Sequence, residues 1–383
     1  MFRKLKLFGM SCLVVASASA FSAGKETGSV EARAIMDGVY DSFVKVMPYV
    51  YNDDQKSFGD KKSKDELLKN LTDISEYFKS AKHVEYFQRP GFRPSLDTIN
   101  QHLQDTLNSV RADNFHFTKK RLNALTQLCI SCHAQLSDST NPNSFGSMIH
   151  KANRSSFESD FAYANYLYLI RNFKESQTYF TKALDEAVVK GKEEQLNESL
   201  RKVFAMNTMI DFNFKAANAL ILKYEKEKEV SPLVTNLLKS WKTSLVAWKD
   251  FNPKKIKSID SFIQTHLVGL EPDKTSAGQN DVTLLVASGV LSKYLVENPK
   301  TDETPKILYW LAVAEKRLSR TYFFSLGDLY LKECIQLYPK SDYAKQCYNE
   351  YAENLEFGFS GSSGTDIPRE EREELSRLKR LLQ

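Results

Sequence analysis

Chain breakers are scarce in this sequence: 15 Gly and 11 Pro are spread over 383 residues. A sandwich or barrel needs turn signals roughly every 8–12 residues, most of them built on those two residue types. Long helices need few. The 24 Phe and 18 Tyr supply large apolar surface for helix packing. The chain therefore reads as all-α, long enough for two or three domains with real cores. The same scarcity excludes collagenous, disordered or low-complexity classes, and a charged fraction of 26% is ordinary.

The formal charge of +5 overstates basicity, because Arg3, Lys4 and Lys6 with no acid supply three of those charges within the first twenty residues. The remainder carries about +2, which gives no footprint for nucleic acid. Those basic residues open an export signal. Leu5 to Val15 is apolar but too short to span a bilayer, and Ala18-Ser19-Ala20 offers a cleavage site. Cleavage after Ala20, or a few residues later, leaves a periplasmic protein with no transmembrane segment. Cys12 raises a lipoprotein alternative, but it sits inside the apolar run.

The other four cysteines form two pairs. Cys129-Ile130-Ser131-Cys132-His133 has the C-x-x-C-H spacing of a covalent c-type haem site. On a helix, residues three apart share a face, so two thiols can meet the two vinyl groups on one porphyrin edge. The adjacent imidazole is then aimed at the iron. Scattering 5 Cys and 6 His at random gives roughly 0.001 such matches. A thioredoxin-type redox pair wants a βαβ context, and a zinc half-site wants a second pair of ligands. Neither pattern is visible. Cys334 and Cys347 flank a helix stop and a helix start at Leu337-Tyr338-Pro339-Lys340-Ser341-Asp342. Two antiparallel helices bring them to similar height, so a disulfide is expected, with two separate buried thiols as the alternative.

Four helical patterns precede residue 137. Met36, Val39, Phe43, Met47 and Val50 mark the first, where Pro48 signals a kink or early end. Leu67, Leu71, Ile74, Phe78 and Ala81 mark the second. Leu96, Ile99, Leu103, Thr106 and Val110 mark the third, with Ser95 expected as N-cap. Leu122, Leu125, Leu128, Cys129, Cys132 and Leu136 mark the fourth. Short connections favour antiparallel neighbours, hence an up-down-up-down bundle. With C-x-x-C-H near the end of its last helix, this region resembles the cytochrome c′ and cytochrome b562 class. The resemblance covers about a quarter of the chain and rests on Cys129, Cys132 and His133. It implies one covalent haem c between the helices, with His133 as proximal ligand and the sixth position filled by Met or open. Topology places Met36, His83 and His102 at the His133 end, with Met36 the leading sixth-ligand candidate and the histidines its alternatives. His116, His150 and His266 read as ordinary.

A polar linker spans 138–156, and helical patterns then run to residue 356. Ala164, Leu167, Phe173, Ser176, Phe180 and Ala183 resemble a tetratricopeptide repeat, with small residues at 164 and 176 where two helices approach. The Gly and Pro usual in that repeat are missing here. Gly327, Phe324, Leu331 and Pro339 form a second cousin, and Trp241 and Trp248 lie seven apart on one core face. Residues 358–365 read as a flexible Gly/Ser loop. The last helix, in the 357–383 tail, has acids early and bases late, matching its dipole. The domains expected are therefore a signal at 1–20, a cytochrome bundle at 29–137, the linker, a repeat array at 157–356 and the tail. No acid–base set accompanies the haem motif, so an enzyme is not expected. Two functions compete. In one the haem carries electrons while the repeats dock a redox partner protein. In the other the chain is an envelope adaptor whose haem is structural or senses gas or redox state.

Overall fold

The computed structural model describes residues 20–51, 60–84, 87, 92–135, 152–170, 172–227, 230–270, 278–298, 301–318, 322, 327–362 and 364–383. Side chains are described throughout these except at 20–29, 51, 92–95, 97–98, 127–135, 296 and 370. The described residues form fifteen α-helices and one small hairpin of two-residue strands, so the fold is all-α. Of the expected export signal at 1–20, residues 1–19 lie outside the described residues.

Four helices come first: α1 (Ala20–Tyr51), α2 (Lys61–Ala81), α3 (Phe92–Arg111) and α4 (Phe115–Gln135). Each packs on the next, and α4 returns to α1. The α2 stripe of Leu67, Leu71, Ile74, Phe78 and Ala81 is buried, and the helix starts where the Asp60 carboxylate accepts from the Ser63 N–H at 3.0 Å. Helix α1 continues past Pro48 to Tyr51, so the proline does not end it. Helix α3 begins at Phe92 rather than after Ser95. Pro94 is tolerated there because first-turn N–H groups have no helical acceptor to lose. Between α3 and α4, Asp113 adopts a left-handed φ of 54°, and the Asn114 N–H donates to Ser109 O at 3.1 Å.

Eleven helices follow: α5 (Asp160–Leu169), α6 (Phe173–Lys190), α7 (Glu193–Ala205), α8 (Phe214–Tyr224), α9 (Pro232–Leu245), α10 (Ile259–His266), α11 (Asp281–Glu297), α12 (Thr304–Arg317), α13 (Gly327–Leu337), α14 (Asp342–Gly358) and α15 (Arg369–Leu381). Helices α5 and α6 pack as a close hairpin through the two small residues. Ala164 and Ser176 are fully buried, and Ser176 Oγ donates to Ala164 O at 2.9 Å. Trp241 and Trp248 are both in the core. Cys334 and Cys347 are joined across α13 and α14, with Cα atoms 6.4 Å apart. Closing that loop of about a dozen residues stabilises the fold by roughly 3 kcal/mol. The segment read as a flexible Gly/Ser loop instead pairs Ser360 with Thr365 and Gly361 with Gly364. Helix α15 then covers α13 and α14, burying Leu378 and accepting a hydrogen bond from Tyr351 Oη on Glu371 Oε2 at 3.0 Å.

Two cores meet at α5. Ala164 belongs to the core of the eleven-helix array, while Tyr163, Tyr166, Leu167 and Ile170 belong to the core of the four-helix bundle. The phenols of Tyr40 on α1 and Tyr166 on α5 are hydrogen-bonded at 2.7 Å, and the Ala152 N–H donates to Tyr166 Oη at 3.0 Å. Ala152, in the expected linker, and Phe157, just past its end, are buried in the bundle core, while Asn153, Ser155 and Ser156 between them are exposed.

One turn in the array is tight enough to test. After α7 the chain makes a π-helical turn, Met206–Ile210, and leaves it at Phe212 with φ at 49°. Helix α11 crosses this turn at Gly289, where a Cβ would stand 2.1 Å from Met209 O. Gly289→Ala must push backbone apart, and a loss of about 1–3 kcal/mol is expected. Urea unfolding of the two proteins measures it; equal midpoints would show that the crossing is looser than described.

Candidate functional site

The C-x-x-C-H motif lies in the last two turns of α4, so Cys129, Cys132 and His133 have helical backbone. Their side chains lie outside the described residues. What surrounds that end follows from the register of the bundle. Ser109 Oγ meets Thr118 Oγ1 at 2.9 Å between α3 and α4, and Gln104 Nε2 donates to Ser75 Oγ at 3.0 Å between α3 and α2. Tyr49 Oη donates to Ser63 O at 3.3 Å between α1 and α2. These contacts set the end of α4 level with the start of α3, the end of α2 and the first half of α1. Among the residues whose side chains are described, the buried ones there are Ala32, Val84, Phe87, Leu96 and Ile99. All are apolar, as the faces of a porphyrin require, and two thiols with an imidazole at helical spacing are the donor set for haem c. The residues present fit that group.

The sixth-ligand candidates fare differently. Met36 is half-buried on α1 and packs against the bundle core. His83 is exposed in the turn that ends α2, its backbone N–H donating to Ser80 O at 3.1 Å. His102 is engaged elsewhere. Its Nε2 donates to Arg121 O at 2.6 Å, and its Nδ1 accepts from the Arg121 guanidinium at 3.0 Å. Arg121 is also paired with Asp105. Twelve residues separate Arg121 from His133, roughly 18 Å along a helix. Ligation by His102 would require both ring contacts to break, so its expected place at the His133 end is corrected: it is a structural residue in the middle of α3. The sequence pattern carried no signal for this, because its partner is a backbone carbonyl on another helix.

His116 is exposed near the start of α4. His266 packs on Trp248, ring centroids 4.7 Å apart, and burial lowers its pKa. His150 lies outside the described residues.

The array holds a buried polar cluster that sequence reasoning missed. Trp241 Nε1 donates to Tyr322 Oη at 2.9 Å, Tyr322 Oη donates to the Asp281 carboxylate, and Arg201 lies 3.6 Å from the same carboxylate. Phe204 stacks on Trp241 at 4.0 Å, and the Arg201 guanidinium covers the Tyr322 ring at 4.9 Å. Burial, with Asp281 beside it, holds the Tyr322 phenol well above its ordinary pKa, so the cluster is a neutral phenol bridging an ion pair and an indole. It ties α7, α9 and α11 together. Among the described residues, no group of three or more His, Cys, Asp and Glu could hold a metal ion, and no helix is long and apolar enough to cross a membrane. No protein-family model, curated protein or solved structure matches the chain.

The His102 geometry has a pH consequence. Burial lowers its folded pKa, and the Arg121 guanidinium facing Nδ1 adds to that, while the unfolded imidazole titrates near 6.5. The unfolded chain therefore binds more protons in the window below that value, and stability falls as pH drops through it. His102→Gln, which keeps a neutral donor toward Arg121 O, is expected to flatten the slope of unfolding free energy between about pH 6.5 and pH 5. His266, shifted in the same direction, supplies the residual slope. Parallel slopes for the two proteins would mean that His102 titrates normally.

Proposed function

We propose that the protein is an exported, periplasmic c-type cytochrome. In this reading one haem c is bound covalently by Cys129 and Cys132, with His133 as proximal ligand. The observation that carries it is the C-x-x-C-H spacing on the last helix of a four-helix bundle whose neighbouring end is lined by buried apolar side chains. The Cys334–Cys347 disulfide supports an oxidising compartment, where such a haem would be attached. When bound, the group supplies one-electron chemistry. The chain's own contribution is to hold it in a dry bundle end and to offer Met36 as the sixth ligand. The helical array is the surface on which a redox partner protein docks.

A second reading makes the array primary and the haem structural or a sensor of gas or redox state. The disulfide and the capping helix α15 both lie in the array, which favours a stable scaffold. The two readings part at the iron. Ligands on both sides suit electron transfer, and an open side suits gas binding.

Cys129→Ala together with Cys132→Ala is expected to remove all covalent haem, read as the unmodified chain mass and loss of peroxidase stain after denaturing electrophoresis. An unmodified mass for the wild-type protein, from cells that attach haem to other cytochromes, would reject the cytochrome reading.

For the sixth ligand, the ferric wild-type protein is expected to show the weak far-red charge-transfer band of Met–iron ligation. Met36→Ala should abolish that band and lower the reduction potential, because thioether ligation favours ferrous iron. If His83 were the ligand, Met36→Ala would leave the spectrum unchanged and His83→Ala would open the iron. Immediate carbon monoxide binding by the reduced wild-type protein would favour the sensor.

A further inference from the structure

Between α9 and α10 the chain turns on two short 3-10 segments, Val246–Trp248 and Pro253–Lys255. The turn is anchored by aromatic rings. Trp248 is buried, packs on Phe251 at 5.0 Å and on His266 at 4.7 Å, and donates from Nε1 to Thr283 Oγ1 at 3.3 Å. Phe251 in turn packs on Phe212 and Phe214, each at 6.2 Å. Asn252 Oδ1 accepts from the Lys254 N–H at 3.0 Å and closes the second segment.

The outer side of this rigid turn is cationic. Lys249, Lys254, Lys255 and Lys257 are all exposed, against the single acid Asp250. No ion pair joins any of the four among the described residues, whereas Lys223, Lys242 and Lys306 nearby in the array are all paired with acids. Asp260, the next acid along the chain, is held by Lys306 at 2.7 Å. Two apolar side chains flank the lysines. Val246 is 64% exposed, and Val268, two residues beyond the His266 that packs on Trp248, is 45% exposed.

We propose that this turn docks the protein reversibly onto a bilayer surface rich in anionic phospholipid. The four lysines face headgroup phosphates, and Val246 and Val268 sit at the headgroup boundary. Charge complementarity and the exposed valines together select this partner. A single-stranded nucleic acid would want exposed rings for base stacking, but Trp248 and Phe262 are buried.

The test is co-sedimentation of the full chain with vesicles of phosphatidylcholine alone or mixed with phosphatidylglycerol. Binding is expected only to the mixed vesicles, and half-molar salt should release it. Each lysine near such a surface contributes about a fivefold gain in affinity, so Lys254→Gln with Lys255→Gln should weaken binding about 25-fold. The helical circular dichroism should stay unchanged. Val246→Ser should weaken it about fivefold. Lys61→Gln with Lys62→Gln, exposed at the start of α2, should change little. The proposal is overturned by equal binding to neutral vesicles, by no binding, or by an equal loss from the α2 pair. Binding to a poly-glutamate peptide but not to vesicles would assign the turn to an acidic protein and also overturn it.

Discussion

Helix α5 is buried on both of its sides, and the rest of the structure is organised by that fact. Its small residue, Ala164, lets α6 approach within hydrogen-bonding distance of its backbone, while Tyr163, Tyr166 and Leu167 reach into the bundle. A ten-residue helix has little intrinsic stability, so α5 persists because packing on both sides holds it. The Tyr40–Tyr166 phenol pair lies at the junction. Burial, with Tyr166 beside it, drives the Tyr40 pKa far upward, so the Tyr40 hydroxyl is retained as a neutral hydrogen-bonding group. Tyr166 is satisfied from two directions, by Tyr40 and by the Ala152 N–H. An unpaired phenol at that depth would carry a desolvation cost, which gives the junction a single preferred arrangement rather than a greasy contact that could slide.

The parts of the fold legible in the sequence are those with a local period. The stripes of α1 to α3, with Leu122 and Leu125 of α4, the small-residue pair at 164 and 176, and the two cysteines around a helix reversal are all patterns within a few turns of chain, and the structure contains them. What could not be read depends on partners far away in sequence. Gly289 is one glycine in an apolar helix until the carbonyl of Met209, eighty residues earlier, is placed against it. His102 sits beside a core stripe, as a ligand would, but its ring answers to the carbonyl and guanidinium of Arg121. One signal was available for α5. Phe161 to Leu169 is apolar on nearly every side, and a short helix of that kind is buried all round.

Buried charge in the array argues for a specified arrangement rather than for added stability. Arg201 and Asp281 are both largely withdrawn from water, and such a pair recovers its desolvation cost only when the remaining lone pairs and N–H groups are met. Here the Asp281 carboxylate also accepts from Tyr322 and Trp241, and the Arg201 guanidinium lies over the ring face of Tyr322. Removing Tyr322 would take a donor from the Asp281 carboxylate and the acceptor from the Trp241 indole in the same step. Helices that could otherwise rotate against one another are thereby fixed in register, which apolar packing alone does not do.

The first helix connects these themes. Met36 and Tyr40 are one turn apart on α1, so they share a side of the helix. Tyr40 is bonded to Tyr166 of α5, and Met36 lies one turn before it on the same helix. A ligand to iron must be held within a fraction of an ångström, and a helix whose next turn is pinned by a buried hydrogen bond is held in that way. If Met36 is the sixth ligand, the array contributes to the haem site without touching it, by fixing the axial position and rotation of α1. The contact between the two cores would then be part of the cofactor's surroundings, and the chain would be one functional unit rather than a cytochrome tethered to a scaffold.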